Sequence, residues 1–241
     1  MPTWGQKCCC SSKKRFGVIE KDLNYQAIIL VRGAAIGQNI SWENLEILML
    51  SGNNIGDKGA ISIASNTCWR KLIQIVFDEN EITDEGADAI GRNASWENLE
   101  VLGLCNNQVG DKGALAVASN VIWKNLEVLK LSKNIIGDKG CAVLGRNSSW
   151  KNLLTMLLDY NQIGDEGGRA IGQSNVCQAL QVLHLANNRV GWKTAAELAR
   201  KEDWKYIKMF VLNRNVNLST TERRNSLRAL IGSKKRPFWK L

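Results

Sequence analysis

The side chains that could perform acid–base or nucleophilic chemistry are few in this sequence. The chain of 241 residues contains one histidine, His184, and Asp159 stands 25 residues before it. A histidine oriented by a carboxylate is the base of many hydrolytic sites, but such a site also needs a Ser or Cys nucleophile. Whether these groups meet depends on the elements that position them.

The seven cysteines do not have the spacing of a metal site or a disulfide framework. Cys68, Cys105, Cys141 and Cys177 are dispersed, and no CxxC pair occurs. We therefore expect no metal, no cofactor and a reducing compartment. Cys8, Cys9 and Cys10 are contiguous and precede a basic cluster. Adjacent thiols beside basic residues fit reversible S-acylation, although a solvated tail with inert thiols is the favoured interpretation.

Asparagine and aspartate recur with a period of 27 residues. The asparagines are Asn53, Asn80, Asn107, Asn134, Asn161, Asn188 and Asn215. The aspartates are Asp57, Asp84, Asp111, Asp138 and Asp165. A residue that recurs once in every unit indicates a structural role. We expect the Asn amides to satisfy the backbone where each strand ends, and each Asp to cap the helix that it begins.

Apolar residues follow the same period and predict alternating strands and helices. Tryptophans at 42, 69, 96, 123 and 150 open five units, and each is followed by the pattern L-x-x-L-x-L-x-x-N or a close variant. This pattern resembles a leucine-rich repeat. The second half of the unit, as in Ile55-Gly56-Asp57-Lys58-Gly59-Ala60, is similar to the ribonuclease-inhibitor-like subfamily, which also occurs in NOD-like receptors.

The resemblance implies an α/β solenoid shaped like a horseshoe. Seven strand–helix repeats would form a parallel concave sheet with helices on the convex side. Residues 1–24 are predicted to be a poorly ordered tail and 25–41 a capping helix from a degenerate repeat. The repeat domain is predicted at 42–218, a C-terminal capping helix at 219–232, and a basic tail at 233–241.

The repeat frame places His184 and Asp159 and argues against catalysis. His184 lies between the inward-pointing Leu183 and Leu185, so its side chain should point outward. Asp159 lies one unit earlier, close enough to pair with it. Cys105 lies three units before His184, on the order of 15 Å away, so it cannot serve as the nucleophile. We therefore predict that the protein is not an enzyme.

The outward positions of the strands are predicted to bind the ligand. Residues free of the repeat constraint can specify a partner, and the apolar ones form a continuous stripe. The predicted ligand-binding residues are Ile47, Met49, Val76, Asp78, Glu79, Val101, Val128, Lys130, Leu157, Asp159, Tyr160, His184 and Arg214. The favoured function is binding of another protein or a peptide, whose identity the sequence leaves open.

The charge distribution supports one alternative. The net charge of +9 is concentrated at the ends, where residues 1–24 and 200–241 sum to +3 and +9 and the middle to −3. Lys234, Lys235, Arg236 and Lys240 are interleaved with aromatic residues, so the tail could bind nucleic acid or an anionic surface. The absence of a long apolar run and of a leader sequence predicts a cytoplasmic protein, partly membrane-associated if acylated.

Overall fold

The computed structural model describes residues 36–174, 179–200, 206–215 and 239–240. The strands are β1 (Ile47–Met49), β2 (Gln74–Val76), β3 (Val101–Gly103), β4 (Val128–Lys130), β5 (Thr155–Leu157), β6 (Val182–His184), β7 (Met209–Val211) and β8 (Trp239–Lys240). The helices are α1 (Gly56–Ala64), α2 (Asp84–Arg92), α3 (Asp111–Ala118), α4 (Asp138–Arg146), α5 (Asp165–Gly172) and α6 (Trp192–Arg200).

The strands form one parallel sheet in the order of the chain. From β1 to β7 the register advances by one repeat at each step, so that Leu48 lies beside Ile75 and Ile75 beside Leu102. The connection between neighbouring strands passes through one helix, as parallel pairing requires. The predicted solenoid of seven strand–helix units is confirmed.

The core is continuous because every unit buries the same face. The middle residue of each of the first seven strands is fully buried, as Leu102 is, and so is the second residue after each strand from β2 to β7, as Leu104 is. Trp69, Trp96 and Trp123 also expose no surface. Trp42 stacks on Trp69 with ring centroids 6.3 Å apart. One unit alone could not bury these side chains, but stacked units can.

The asparagine after each strand bonds to two units at once. Asn107 Nδ2 donates to the carbonyl of Leu104 in its own unit (3.1 Å) and to that of Phe77 in the preceding unit (2.9 Å). Its Oδ1 accepts from the N–H groups of Asn80 (3.1 Å) and Ile82 (2.9 Å). The predicted role is confirmed, since these buried backbone groups would otherwise have no partner.

A second asparagine column, which the sequence reasoning missed, satisfies the ends of the helices. Asn120 Nδ2 donates to the carbonyl of Gly91 in the last turn of α2 (2.8 Å) and to that of Asn93 (2.9 Å). Asn66 and Asn147 make equivalent bonds. Carbonyls in the last turn of a helix lack partners within the helix. The signal was the 27-residue spacing of asparagines at 39, 66, 93, 120 and 147.

The aspartates cap helices, but not the helices that they begin. Asp111 is the first residue of α3, yet its Oδ1 accepts from Gly137 N (2.7 Å) and Gly140 N (2.8 Å) at the start of α4. The expectation that each Asp caps its own helix is therefore wrong. The parallel stack places neighbouring helix starts side by side, so the carboxylate reaches the next unit. A Cβ at Gly140 would lie 2.6 Å from that Oδ1, which requires glycine here.

The helices approach one another unequally. Gly91, near the end of α2, lies so close to the Ala116 carbonyl of α3 that a Cβ would overlap it, and Gly37 has the same relation to Ser62 of α1. The corresponding residues of α1 and α3 are Ala64 and Ala118, which carry a Cβ. Close backbone contact at a helix end therefore alternates between these successive units.

The C-terminal segment adds a strand that the sequence reasoning did not predict. Trp239–Lys240, within the predicted basic tail, forms β8 parallel to β7, with Phe210 beside Trp239 and Val211 beside Lys240. The predicted tail 1–24 and capping helix 219–232 lie outside the described residues. Of the predicted capping helix 25–41, the described part begins at Ile36, and Ile36 and Gly37 are helical.

Candidate functional site

The first and third side chains of β1–β7 point away from the helices and form what we call the concave face. The middle side chains point into the core, which gives each strand its alternation. Ile47, Met49, Val101, Val128 and Leu157 are half-buried on this face. The predicted apolar stripe is therefore present along the sheet.

The stripe is less exposed than the sequence suggested. Val76 is 2% exposed and Val211 is 7% exposed, because neighbouring strands cover them. The large apolar side chains with the most exposed surface among the described residues lie elsewhere. Leu115 (51%) and Val121 (64%) line a groove between α2 and α3 on the helix side of the molecule.

The residue pairs directly beyond the strands, 51–52, 78–79, 105–106, 132–133, 159–160, 186–187 and 213–214, form what we call the rim. The second residue of every pair has a left-handed backbone, including Glu79 (φ 61°), Tyr160 (φ 56°) and Arg214 (φ 59°). Their N–H groups continue the ladder, as when Lys133 N donates to the Asp159 carbonyl (2.7 Å). A rigid backbone therefore presents these variable side chains.

Asp159 and His184 are brought together, as the sequence predicted. Asp159 Oδ2 lies 3.1 Å from His184 Nδ1, and Oδ1 accepts from Ala186 N at 2.9 Å. Because a carboxylate only accepts hydrogen bonds, Nδ1 carries the proton in this contact. Asp159 is 7% exposed. Little of its surface is therefore left for a ligand.

The atoms around this pair do not make a nucleophile. Ser132 Oγ lies 3.5 Å from Asp159 Oδ2, on the carboxylate rather than on the imidazole. The other imidazole nitrogen, His184 Nε2, lies 3.3 Å from the thioether sulfur of Met209. A general base needs the proton of its nucleophile within hydrogen-bond reach, and a thioether has no such proton.

Asp78 occupies the position equivalent to Asp159 at the other end of the face. Its Oδ1 accepts from Cys105 N at 2.7 Å. Burial raises the pKa of the Asp78 carboxyl above its ordinary value, and Glu79 raises it further; the Cys105 N–H and Lys130 act in the opposite direction. Lys130 lies on β4, two strands away, on the order of 10 Å between strand axes.

The remaining rim residues divide the charge along the face. Glu79 is exposed near the N-terminal end. Lys133 lies over the ring of Tyr160, with Nζ 5.9 Å from the ring centroid. Arg214 is exposed beyond β7. The face thus changes from acidic near β2 to basic near β4, and then to the mixed group around Tyr160 and His184.

Other predicted features give no additional site. Among the residues described, no group of His, Cys, Asp or Glu is arranged to hold a metal ion. No helix in the described segments has both the length and the apolar character to cross a bilayer. Cys8, Cys9 and Cys10 lie outside the described residues, as does the basic tail apart from Trp239 and Lys240.

The sequence comparison defines the class of protein. The family profile described as Leucine Rich repeat matches residues 43–64, 71–91, 97–118, 124–145 and 152–172. Each segment contains the strand of one unit and most or all of its helix. The repeat body therefore consists of leucine-rich repeats. A search of curated proteins found no match.

Two solved structures show similarity at low identity. An internalin from Listeria monocytogenes str. 4b F2365 is 20% identical, with a TM-score of 0.42, over 64% of this chain and 44% of that chain. A Pollen Receptor Kinase 3 structure is 15% identical, with a TM-score of 0.43, over 72% of this chain and 74% of that chain. The present chain thus matches less than half of the internalin chain.

Proposed function

We propose that this chain is a non-enzymatic module that binds another protein or a peptide across its concave face. One observation carries the proposal. The positions that repeat from unit to unit support the fold, whereas the concave face and the rim change in every unit. Third strand positions, for example, include Met49, Gly103, Lys130 and His184. Such variation on a rigid support is typical of a recognition surface.

The chemistry of the face favours a polypeptide partner. Half-buried Ile, Val, Leu and Met side chains run along the strands, and charged side chains lie beside them on the rim. An apolar centre with a polar rim is the usual organisation of a protein interface. The contact of Met209 with His184 supports a binding role for this pair rather than a catalytic one.

The subfamily is part of the same proposal. We infer membership of the ribonuclease-inhibitor-like subfamily from the I-G-D-x-G-A motif. The short α-helix in each of the first six units, such as α2 and α5, supports this assignment. The partner and its pathway do not follow from the subfamily.

The experiment selects binders from a random peptide library displayed on phage, using the intact protein. In one variant, Met49→Lys, Val101→Lys and Leu157→Lys are combined on the concave face. We expect this variant to bind the selected peptides about 10-fold more weakly or worse, because apolar interface centres dominate affinity. Its thermal midpoint should stay near that of the parent, because lysine stems can lie along a sheet surface.

The matched control changes three exposed apolar residues away from the concave face, Leu115→Lys, Val121→Lys and Ile135→Lys. We expect this control to bind like the parent. Peptides that still bind the concave variant but not the control would place binding on the helix side and refute the proposal.

A further inference from the structure

Two equivalent aspartates on the rim have different surroundings. Asp78 and Asp159 stand 81 residues apart, which is three repeats of 27. Both use Oδ1 to accept from the backbone of the next unit, Cys105 N at 2.7 Å and Ala186 N at 2.9 Å. The chain therefore contains two carboxylates held by the same backbone geometry.

The difference lies in what covers the second oxygen. At Asp159, Oδ2 is paired with His184 at 3.1 Å. The residue three repeats before His184 is Gly103, on β3, which has no side chain to offer. A Cβ at Gly103 would lie 3.0 Å from Asp78 Oδ1 and 2.8 Å from Val76 Cγ1. Asp78 and Val76 therefore lean over this glycine, and nothing from β3 covers the carboxylate.

The charges nearby leave Asp78 without a cation in contact. Lys130 attracts Asp78 electrostatically, but no ion pair joins these two described residues. Glu79 adds a second negative charge on the rim. A carboxylate that has lost much of its water, and has only one hydrogen bond from the backbone, gains strongly when a cationic donor reaches it.

We propose that Asp78, above Gly103, anchors an Arg or Lys side chain of the polypeptide that binds the concave face. The cation occupies the place that the His184 imidazole occupies beside Asp159. Lys130 lies on the other side of Gly103 and repels the cation, which confines it to the Asp78 side. This inference rests on the proposed function, because it names the chemistry that the partner brings to that same face.

The test uses the peptides selected from the displayed library. We expect them to share an Arg or Lys at one position, and Asp78→Asn to weaken their binding about 10-fold or more. Replacing the peptide cation by Gln should weaken binding by a similar factor, and should cost little more once Asp78 is Asn. Asp78→Asn keeps an oxygen for the Cys105 N–H, so the fold should be unchanged by circular dichroism.

Asp159→Asn is the matched control, because its carboxylate already has His184 as partner; its affinity should stay within about twofold of the parent. A second variant, Gly103→His, should supply the missing imidazole and also weaken binding. Peptides that depend on the concave face but ignore Asp78→Asn, or that share no cation, would overturn this inference and leave the proposed function standing. If no peptide binds, or if none depends on the concave face, the proposed function fails and this inference fails with it.

Discussion

The aspartate column gives a prediction whose size follows from counting bonds. Asp111 Oδ1 accepts two N–H groups at the start of α4, at 2.7 and 2.8 Å. Asp165, two units later, accepts one such group, Gly191 N at 2.8 Å. Thr194 replaces glycine at the position of the second donor. The chain thus contains a two-bond and a one-bond version of the same cap.

We expect Asp111→Ala to lower the free energy of unfolding by about 2–3 kcal/mol, because each lost cap bond costs roughly 1–1.5 kcal/mol at a partly buried site. Asp165→Ala should cost about half as much. Asp111→Asn keeps an Oδ1 that can accept both bonds and loses only the interaction of charge with the helix dipole, about 0.3–1 kcal/mol.

The assay is urea denaturation followed by circular dichroism on the parent and the three variants. The slopes should agree between variants, because the stacked units unfold together only while their interfaces remain intact. Equal losses for Asp111→Ala and Asp165→Ala would refute the bond counting. A loss for Asp111→Asn as large as that for Asp111→Ala would show that the charge, rather than the hydrogen bonds, supports α4.

Three further predictions concern other parts of the chain. Asp78→Asn should raise the thermal midpoint at neutral pH; because the folded-state pKa is raised, the ionised carboxylate opposes folding above that pKa, so the gain should shrink as the pH falls through it. Gly168→Ala should destabilise the parent, since a Cβ there would lie 2.9 Å from Thr194 Cγ2, but should be nearly neutral when combined with Thr194→Gly; urea titrations of the double-mutant cycle measure this coupling. If the cysteines at 8–10 are acylated, part of the protein in a eukaryotic cell should sediment with membranes and be released by hydroxylamine, whereas a wholly soluble parent would exclude the modification.

Much of the architecture could be predicted because a 27-residue period fixes which residues repeat. It gives the strand positions, the buried leucines and the asparagine after each strand. The period does not say which unit a side chain reaches. This is why Asp111 was expected to cap its own helix, and why the asparagine column at 120 was overlooked.

The candidate site was only partly predictable. The pairing of Asp159 with His184 follows from their offset of one unit less two residues. The burial of Val76 depends on its neighbours across the sheet, which a list of outward positions does not supply. Gly103 carries no signal of its own in the sequence. Its meaning appears only when the structure shows what His184 does at the equivalent position.

The alternation of glycine and alanine at the helix ends bears on how such a chain can grow or shrink. Gly91 must face a backbone that a Cβ would overlap, whereas Ala64 and Ala118 have room for one. Excising one unit, residues 84–110, would bring together two helices of the same kind. Excising two units, residues 84–137, would preserve the order of close and wide contacts. Gain or loss of material in this lineage should therefore proceed by pairs of units, and shortened variants should fold best when cut in steps of two.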